Sequence, residues 1–164
     1  MQASIRQTCL FAVIAVGLVV ALAGTAFAQP SNSTFGTWKV NLAKSQYAAG
    51  TAPKSATFTV EAAGAGFKVV VDSVAADGTA AHWGFTANYD GKDNFITGTC
   101  PYGDVAASTR VDANTTRNIY KKGGTVTVTQ THVVSSDGKT DTITNTSTNA
   151  EGKAVSTVRV YDKQ

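Results

Sequence analysis

The chain closes on residues 158–163, with the sequence VRVYDK, and its folded part opens on residues 36–39, with the sequence GTWK. Both stretches are typical of β-strands, because β-branched and aromatic residues alternate with polar ones. In a sheet that closes on itself, the first and last strands are neighbours. The Trp38 indole and the Arg159 guanidinium would then meet and stack at the seam. The two ends therefore predict a closed barrel whose closure involves Gly36, Trp38 and Arg159.

The segment between these ends has the periodicity of an all-β protein. Apolar residues recur with a period of two, and no stretch sustains the 3.6-residue period of an amphipathic helix. Residues 125–129, with the sequence TVTVT, place valines on one face and threonines on the other. Glycine beside aspartate or asparagine separates such runs at hairpin spacing. We therefore predict a ten-stranded antiparallel up-and-down β-barrel. Its strands are expected at residues 35–42, 54–62, 67–75, 79–89, 93–98, 105–110, 115–122, 125–135, 139–148 and 153–162.

Residues 1–28 have the three parts of a signal peptide. Arg6 gives a charged start, residues 10–23 form an apolar run, and residues 26–28 (AFA) have the small-x-small spacing of a cleavage site. Cleavage is expected before Gln29. A retained membrane anchor is the alternative, but the apolar run is short for a bilayer span. We therefore expect an exported protein, periplasmic or secreted, without stable membrane insertion after cleavage.

After cleavage, residues 29–34 are expected to form a flexible N-terminal segment and residues 35–164 the β-barrel domain. Removal of 28 of the 164 residues leaves 136, the size of one domain. Loss of Arg6 lowers the formal net charge from +3 to +2, which is too little to predict nucleic-acid binding. Cys100 is the one cysteine of the mature chain, so no partner is left for an intrachain disulfide. No cofactor is expected, and the oligomeric state stays open.

The two end motifs resemble those of the calycins, the group that contains the lipocalins and the intracellular fatty-acid-binding proteins. Gly36-x-Trp38 is similar to the lipocalin first-strand signature, and GTWK at this place is still more similar to the first strand of the fatty-acid-binding proteins. Arg159-x-Tyr161 is similar to the closing strand of the latter family, where arginine and tyrosine hold a ligand carboxylate. Residues 43–53 are too few for that family's two lid helices. The resemblance implies a calycin-like exported bacterial protein with a barrel for a fatty-acid-like ligand.

The direction of the last strand's side chains is left open by the sequence. Arg159 and Tyr161 share one side of the strand. If that side faces inward, the two residues can hold a carboxylate in a desolvated place. If it faces outward, Arg159 covers Trp38 at the barrel end. The resemblance also implies a second ligand-binding arginine, either Arg110 or Arg117, and each could instead be a solvated charge. The residues expected in the core or around a ligand are Phe58, Phe67, Val69, Trp83, Phe85, Val126 and Val128.

These features predict a small-molecule-binding protein that holds a mainly apolar ligand and is not an enzyme. The alternative is a protein-binding barrel, such as a periplasmic protease inhibitor, with residues 29–35 as the contacting arm. A lumen of about 300 Å³ or more favours a ligand, whereas a lumen filled by aromatic side chains favours a protein partner. A barrel enzyme or isomerase would need an acid beside His82, Tyr89 or Tyr120 in the lumen. No metal site is expected, since the two histidines lie on separate predicted strands.

Overall fold

The computed structural model describes residues 33–164, and the predicted signal peptide lies outside the described residues. The described part is all-β, with eleven antiparallel strands and no helix. Within it there is accordingly no helix of the length and apolar character that crossing a membrane requires. The strands are β1 (Gly36–Gln46), β2 (Ser55–Ala63), β3 (Gly66–Val74), β4 (Ala80–Ala87), β5 (Asp90–Phe95), β6 (Thr97–Gly98), β7 (Val105–Arg110), β8 (Thr115–Lys122), β9 (Thr125–Val134), β10 (Thr140–Thr148) and β11 (Ala154–Lys163).

The sheet forms a nearly closed barrel. Neighbouring strands follow chain order from β1 to β4 and from β7 to β11, and β11 pairs with β1. In that pairing Trp38 lies opposite Lys163, and Val40 lies opposite Tyr161. The prediction that the two chain ends form one wall is therefore confirmed. The remaining gap lies between β4 and β5. Ile96 crosses it, because β5 pairs with β7 while β6 pairs with β4.

The division of one predicted strand raises the strand number from ten to eleven. Within residues 93–98, the part up to Phe95 pairs with β7, whereas Thr97 and Gly98 pair with β4. Gly98 has a φ of +83°, a left-handed conformation that favours glycine and turns the chain away after β6. The alternation of apolar and polar residues predicts which side chains share a face of a strand. It does not predict that the chain leaves one neighbouring strand and pairs with another. Because β5 and β6 pair with strands on opposite sides of the gap, the barrel is nearly but not completely closed.

A β-bulge reverses the facing of the first residues of β9. From Val128 onward, alternate side chains of β9 face the interior. Val126 is 55% exposed, so the prediction that it belongs to the core is wrong. Tyr120 pairs with Val128 and Lys121 pairs with Val126, which leaves Thr127 as an extra residue between them. The extra residue moves Val126 to the outer face.

The seam between β1 and β11 carries the best-buried aromatic side chain. Trp38 is fully buried, stacks on Phe58 with ring centroids 6.0 Å apart, and donates from Nε1 to the carbonyl of Thr34 at 3.2 Å. The cation over the indole is Lys163, whose Nζ lies 5.2 Å from the ring centroid. The predicted stacking of Arg159 on Trp38 is therefore wrong. The register explains the difference, since Lys163 lies directly opposite Trp38 and Arg159 lies four residues earlier.

The first described residues lie against the same seam. Lys163 Nζ donates to the Ser33 carbonyl at 3.0 Å. Gly36 has a φ of +127°, and a Cβ atom there would lie 2.8 Å from Cε of Lys163, so glycine leaves room for the lysine side chain. Of the predicted contacting arm, residues 29–32 lie outside the described residues, and the part from Ser33 onward contacts the barrel.

Four aspartates fix tight turns through backbone hydrogen bonds, three of them in hairpins and Asp90 at the start of β5, which does not pair with β4. Each carboxylate accepts the N–H of the residue two positions later, at 2.8 Å for Asp77 and Asp112 and at 3.1 Å for Asp90 and Asp137. These bonds hold the pKa values of Asp77, Asp90 and Asp112 below the usual value. The pKa of Asp137 is lowered first by the Ser135 hydroxyl and then by the backbone. The folded turns therefore favour the ionised carboxylates.

We expect the free energy of unfolding to decrease as the pH falls below about 4. The unfolded chain has ordinary aspartate pKa values and takes up protons first. The stabilisation is therefore complete above those values and is lost as the pH falls through the lower values of the folded protein. Urea denaturation between pH 7 and pH 2 measures this dependence. The variant D77N/D90N/D112N/D137N keeps the acceptor oxygens and should show a shallower acid slope, and an unchanged slope would assign the effect to other groups.

Candidate functional site: the barrel lumen

The lumen has an aromatic wall opposite a polar wall. The aromatic wall consists of inward side chains of β2, β3 and β4, and the polar wall of inward side chains of β8, β9 and β10. A molecule between them would meet apolar surface on one side and hydrogen-bonding groups on the other. The aromatic wall contains the predicted residues Phe58, Phe67, Trp83 and Phe85, together with Val69. The polar wall contains Asn118, Tyr120, Gln130, His132 and Asp141.

Arg159 and Tyr161 both line the lumen, which decides the direction that the sequence leaves open. Nη2 of Arg159 donates to the Tyr102 hydroxyl at 2.6 Å, and the guanidinium carbon lies 5.6 Å from the centre of the Tyr102 ring. Tyr102 lies in the segment between β6 and β7, and its ring contacts Trp83 edge to face with centroids 6.0 Å apart. The Arg159 head group is thus positioned by an aromatic side chain from outside the strands.

Arg159 is a half-buried cation without an acidic partner. No carboxylate of residues 33–164 lies within 4 Å of its side chain. Burial alone would lower the pKa of Arg159, but Tyr102 and Tyr161 reverse that effect, and the pKa is raised. Burial also raises the pKa of Tyr161, against the opposing charge of Arg159. At neutral pH the site therefore presents a guanidinium beside a protonated phenol, two groups that bind oxygen anions.

The Tyr47 hydroxyl is a further polar group in the surroundings of Arg159. Tyr47 follows β1 in the loop to β2, and its hydroxyl is buried without a hydrogen-bond partner. Burial raises the pKa of Tyr47, and the positive charge of Arg159 acts in the opposite direction. The phenol therefore keeps its proton at neutral pH. Tyr47 is not among the residues that line the lumen, so its hydroxyl is not a contact for a molecule held there.

The two other candidate arginines do not join this site. Arg117 is exposed on the outer face of β8, so its predicted role in ligand binding is wrong. Arg110 ends β7, whereas Tyr102, which contacts Arg159, precedes the start of the same strand. The Arg110 guanidinium lies 4.4 Å from the centre of the Tyr89 ring, near the opposite end of the barrel. A short carboxylate held by Arg159 is therefore out of reach of Arg110.

A chain of hydrogen bonds crosses the polar wall. The Tyr120 hydroxyl donates to Gln130 Oε1 at 3.2 Å, and Gln130 Nε2 donates to Asn145 Oδ1 at 2.9 Å. His132 Nε2 lies 2.7 Å from Gln130 Oε1, and His132 Nδ1 lies 2.8 Å from Asp141 Oδ2. Both ring nitrogens of His132 are therefore engaged. The Asp141 side chain is only 4% exposed and is held through one of its two oxygens.

The groups named for an enzyme divide between the outer surface and the lumen: Tyr89 and Tyr120 line the lumen, and Tyr120 is joined to Asp141 through Gln130 and His132. His82 is on the outer surface, where Nδ1 lies 2.6 Å from Asp72. Tyr89 lies under Arg110, and the Cys100 thiol is half-buried, with its pKa raised by burial. Within residues 33–164, no group of three or more histidine, cysteine, aspartate or glutamate side chains is placed to hold a metal ion. The acid–histidine pair that lines the lumen is formed by other residues, those of the polar wall.

Tyr102, His132 and Asp141 are among the lumen residues that sequence reasoning missed. Tyr102 lies in an irregular segment, where no alternation predicts a face. Asp141 and His132 could have been paired, because the predicted turn near Asp137 fixes the register of β9 and β10. In that register His132 lies opposite Ile143, two residues from Asp141, which makes the two polar residues diagonal neighbours on one face.

The lumen holds a cavity of about 100 Å³. This volume is below the ~300 Å³ at the lower end of ordinary small-molecule sites. It is also below the ~150 Å³ of an apolar protein cavity that accepts benzene. A long acyl chain would enter only with displacement of the aromatic wall, and by the volume criterion drawn from the sequence a cavity this small favours a protein partner over a ligand.

Comparison with known proteins adds no identification to this geometry. No protein-family model matches the chain, and neither a curated protein nor a solved structure matches it. The resemblance to the calycins therefore rests on the two end motifs, and the chemistry of the lumen rests on the residues that line it.

Proposed function

We propose that this protein is an exported carrier that holds a small molecule with a carboxylate head and a short apolar body in its lumen. The observation that supports this proposal is the half-buried Arg159 on the lumen wall, which has no acidic partner among residues 33–164. A cation removed from water without a counter-charge is unfavourable. A bound anion would relieve that penalty, and binding and stabilisation would therefore go together.

The carboxylate head would be held by donors that the lumen already contains. The Arg159 guanidinium offers several N–H groups in a plane, a geometry that matches a carboxylate. Tyr161 lines the same wall two residues away and keeps its phenolic proton, since burial raises its pKa. This set of donors favours an anionic oxygen ligand over a neutral one.

The apolar body would lie against the aromatic wall, where Phe58, Trp83 and Phe85 are each at most 6% exposed. Burial of a short chain there contributes about 0.8 kcal/mol for each methylene group. The cavity of about 100 Å³ limits how many such groups fit without rearrangement. We therefore place the ligand at the short end of the fatty-acid-like class, with a body of no more than a few methylene groups.

A chain-length series tests this function. Straight-chain carboxylates from acetate to palmitate are titrated into the protein and followed by calorimetry and by tryptophan fluorescence, to which the lumen residue Trp83 contributes. We expect the tightest binding between butanoate and hexanoate. Substitution R159Q should weaken hexanoate binding by about 10- to 100-fold, because a hydrogen bond to a charged group contributes about 1.5–3 kcal/mol.

The matched control is R117Q, which removes the same charge from the outer face of the barrel. It should leave hexanoate binding unchanged. A loss of affinity in R159Q alone would then be due to the lumen position of Arg159 and not to the change in net charge. Equal binding by R159Q and the parent protein would overturn the role of Arg159. Absence of binding for every carboxylate would overturn the proposed function.

The small cavity also favours a second candidate, a protein-binding barrel such as a protease inhibitor. The aromatic side chains occupy much of the space that a ligand would need, and Phe95 on β5 is 85% exposed on the outside. An exposed aromatic residue is a common contact point between proteins. Inhibition of a protease by the parent protein, combined with no carboxylate binding, would replace the carrier function by this one.

A further inference from the structure

The polar wall contains a buried acceptor that no group of the described residues satisfies. Asp141 lines the lumen, and its side chain is 4% exposed. Oδ2 contacts His132 Nδ1 at 2.8 Å, whereas Oδ1 is buried and has no hydrogen-bond partner. An ionised carboxylate accepts hydrogen bonds through both oxygens and donates none. Oδ1 therefore lacks a hydrogen-bond donor, and the side chain that carries it lines the cavity.

The sheet register fixes where this acceptor lies relative to Arg159. Asp141 on β10 is directly opposite Tyr161 on β11, and Arg159 is two residues away along β11 on the same face. Two residues of a strand span about 7 Å. An acceptor and a guanidinium thus lie on one lumen wall, about that distance apart along the barrel.

We propose that Asp141 forms a second polar subsite in the lumen, which selects ligands with a hydroxyl group at the end remote from the carboxylate. This proposal rests on the proposed carboxylate-binding function and specifies the class of ligand as short ω-hydroxycarboxylates. The hydroxyl donates to Asp141 Oδ1 while the carboxylate contacts Arg159. The chain between the two groups lies on the aromatic wall. His132 acts as a positioning residue, since its contact with Oδ2 leaves Oδ1 as the oxygen that meets the ligand.

Three ligands of nearly equal shape test the subsite in the parent protein. The probes are 5-hydroxypentanoate, hexanoate and 5-fluoropentanoate, which end in a donor, a methyl group and a non-donor fluorine. We expect 5-hydroxypentanoate to bind about tenfold more tightly than the other two, because only its hydroxyl satisfies the buried acceptor. Calorimetric dissociation constants for the three probes give this ratio directly.

The variant D141N assigns the preference to one residue. Its amide keeps the shape of the side chain and the contact with His132 but replaces the free acceptor by an NH₂ donor. We expect the preference for the hydroxyl probe, measured as the ratio of the dissociation constants of hexanoate and 5-hydroxypentanoate, to fall several-fold. The matched control is D72N, which alters the aspartate–histidine pair on the outer surface and should keep the full preference.

The outcomes separate the subsite from the proposed function. Equal dissociation constants for 5-hydroxypentanoate and hexanoate in the parent protein would overturn the subsite and leave the carboxylate site in place. That result would mean that a water molecule satisfies Oδ1. Retention of the full hydroxyl preference in D141N would also overturn the subsite, and no binding of any of the three probes would overturn both proposals.

Discussion

Substitution W38A is expected to lower the free energy of unfolding by about 3–5 kcal/mol, the range for removal of a buried large aromatic side chain. Trp38 is fully buried at the seam where β1 meets β11, and its ring stacks on Phe58. The substitution leaves a cavity at the seam where the first and last strands of the described residues pair. It also removes the donor to the Thr34 carbonyl and the surface beneath Lys163.

Urea denaturation followed by circular dichroism measures this loss. A domain of this size should also show a melting temperature lower by about 10–20 °C. The matched control is V126A, which truncates a side chain that is 55% exposed and should change the free energy of unfolding by less than about 0.5 kcal/mol. A loss for W38A no larger than that of V126A would mean that the seam contributes little to the stability of the barrel.

The strand boundaries could be predicted because the turns carry their own chemistry. Asp77, Asp112 and Asp137 each hold a hairpin turn by accepting a backbone N–H two residues later, and all three turns were visible in the sequence. What the turns do not encode is the partner of each strand. For that reason the division at Ile96 was missed, and so was the bulge that moves Val126 outward.

The sequence predicts which residues of β11 share a face, but it does not predict whether that face lies inside or outside the barrel. Alternation groups Arg159 with Tyr161, but a one-residue change of register would place both outside. The register of β11 against β1 decides which face of β11 lies inside. That register also places Lys163, and not Arg159, over the Trp38 ring. Both cations lie near an aromatic ring. The sequence pattern alone therefore does not show which of them covers the seam and which of them lines the lumen.

The residue that positions Arg159 could not be predicted from any period. Tyr102 comes from an irregular segment whose path depends on where β6 attaches to β4. The Arg159 site therefore depends on a short two-residue strand as well as on β11. A change in β6 should accordingly affect both the stability of the barrel and the contact between Tyr102 and Arg159.

Substitution G98A is expected to cost about 2–5 kcal/mol of stability, from the sum of a conformational and a steric penalty. Gly98 has a φ of +83°, and a Cβ atom there would lie 2.1 Å from the carbonyl oxygen of His82. That carbonyl accepts the N–H of Thr99 at 2.9 Å, so it cannot move away without loss of the pairing between β6 and β4. The segment that carries Tyr102 would shift with β6.

The control G152A separates the two penalties. Gly152 has a φ of +77°, close to that of Gly98, but a Cβ atom there would have no heavy atom within 4 Å. The G152A variant should lose only the free energy needed to hold alanine in the left-handed conformation, about 1–2 kcal/mol. Urea denaturation of both variants gives the difference, and titration with hexanoate should show weaker binding in G98A than in G152A because only Gly98 supports the segment that holds Arg159. Equal losses of unfolding free energy in G98A and G152A would contradict this prediction, because they would mean that β6 can move away from the new methyl group. The gap between β4 and β5 would then be an opening of the barrel.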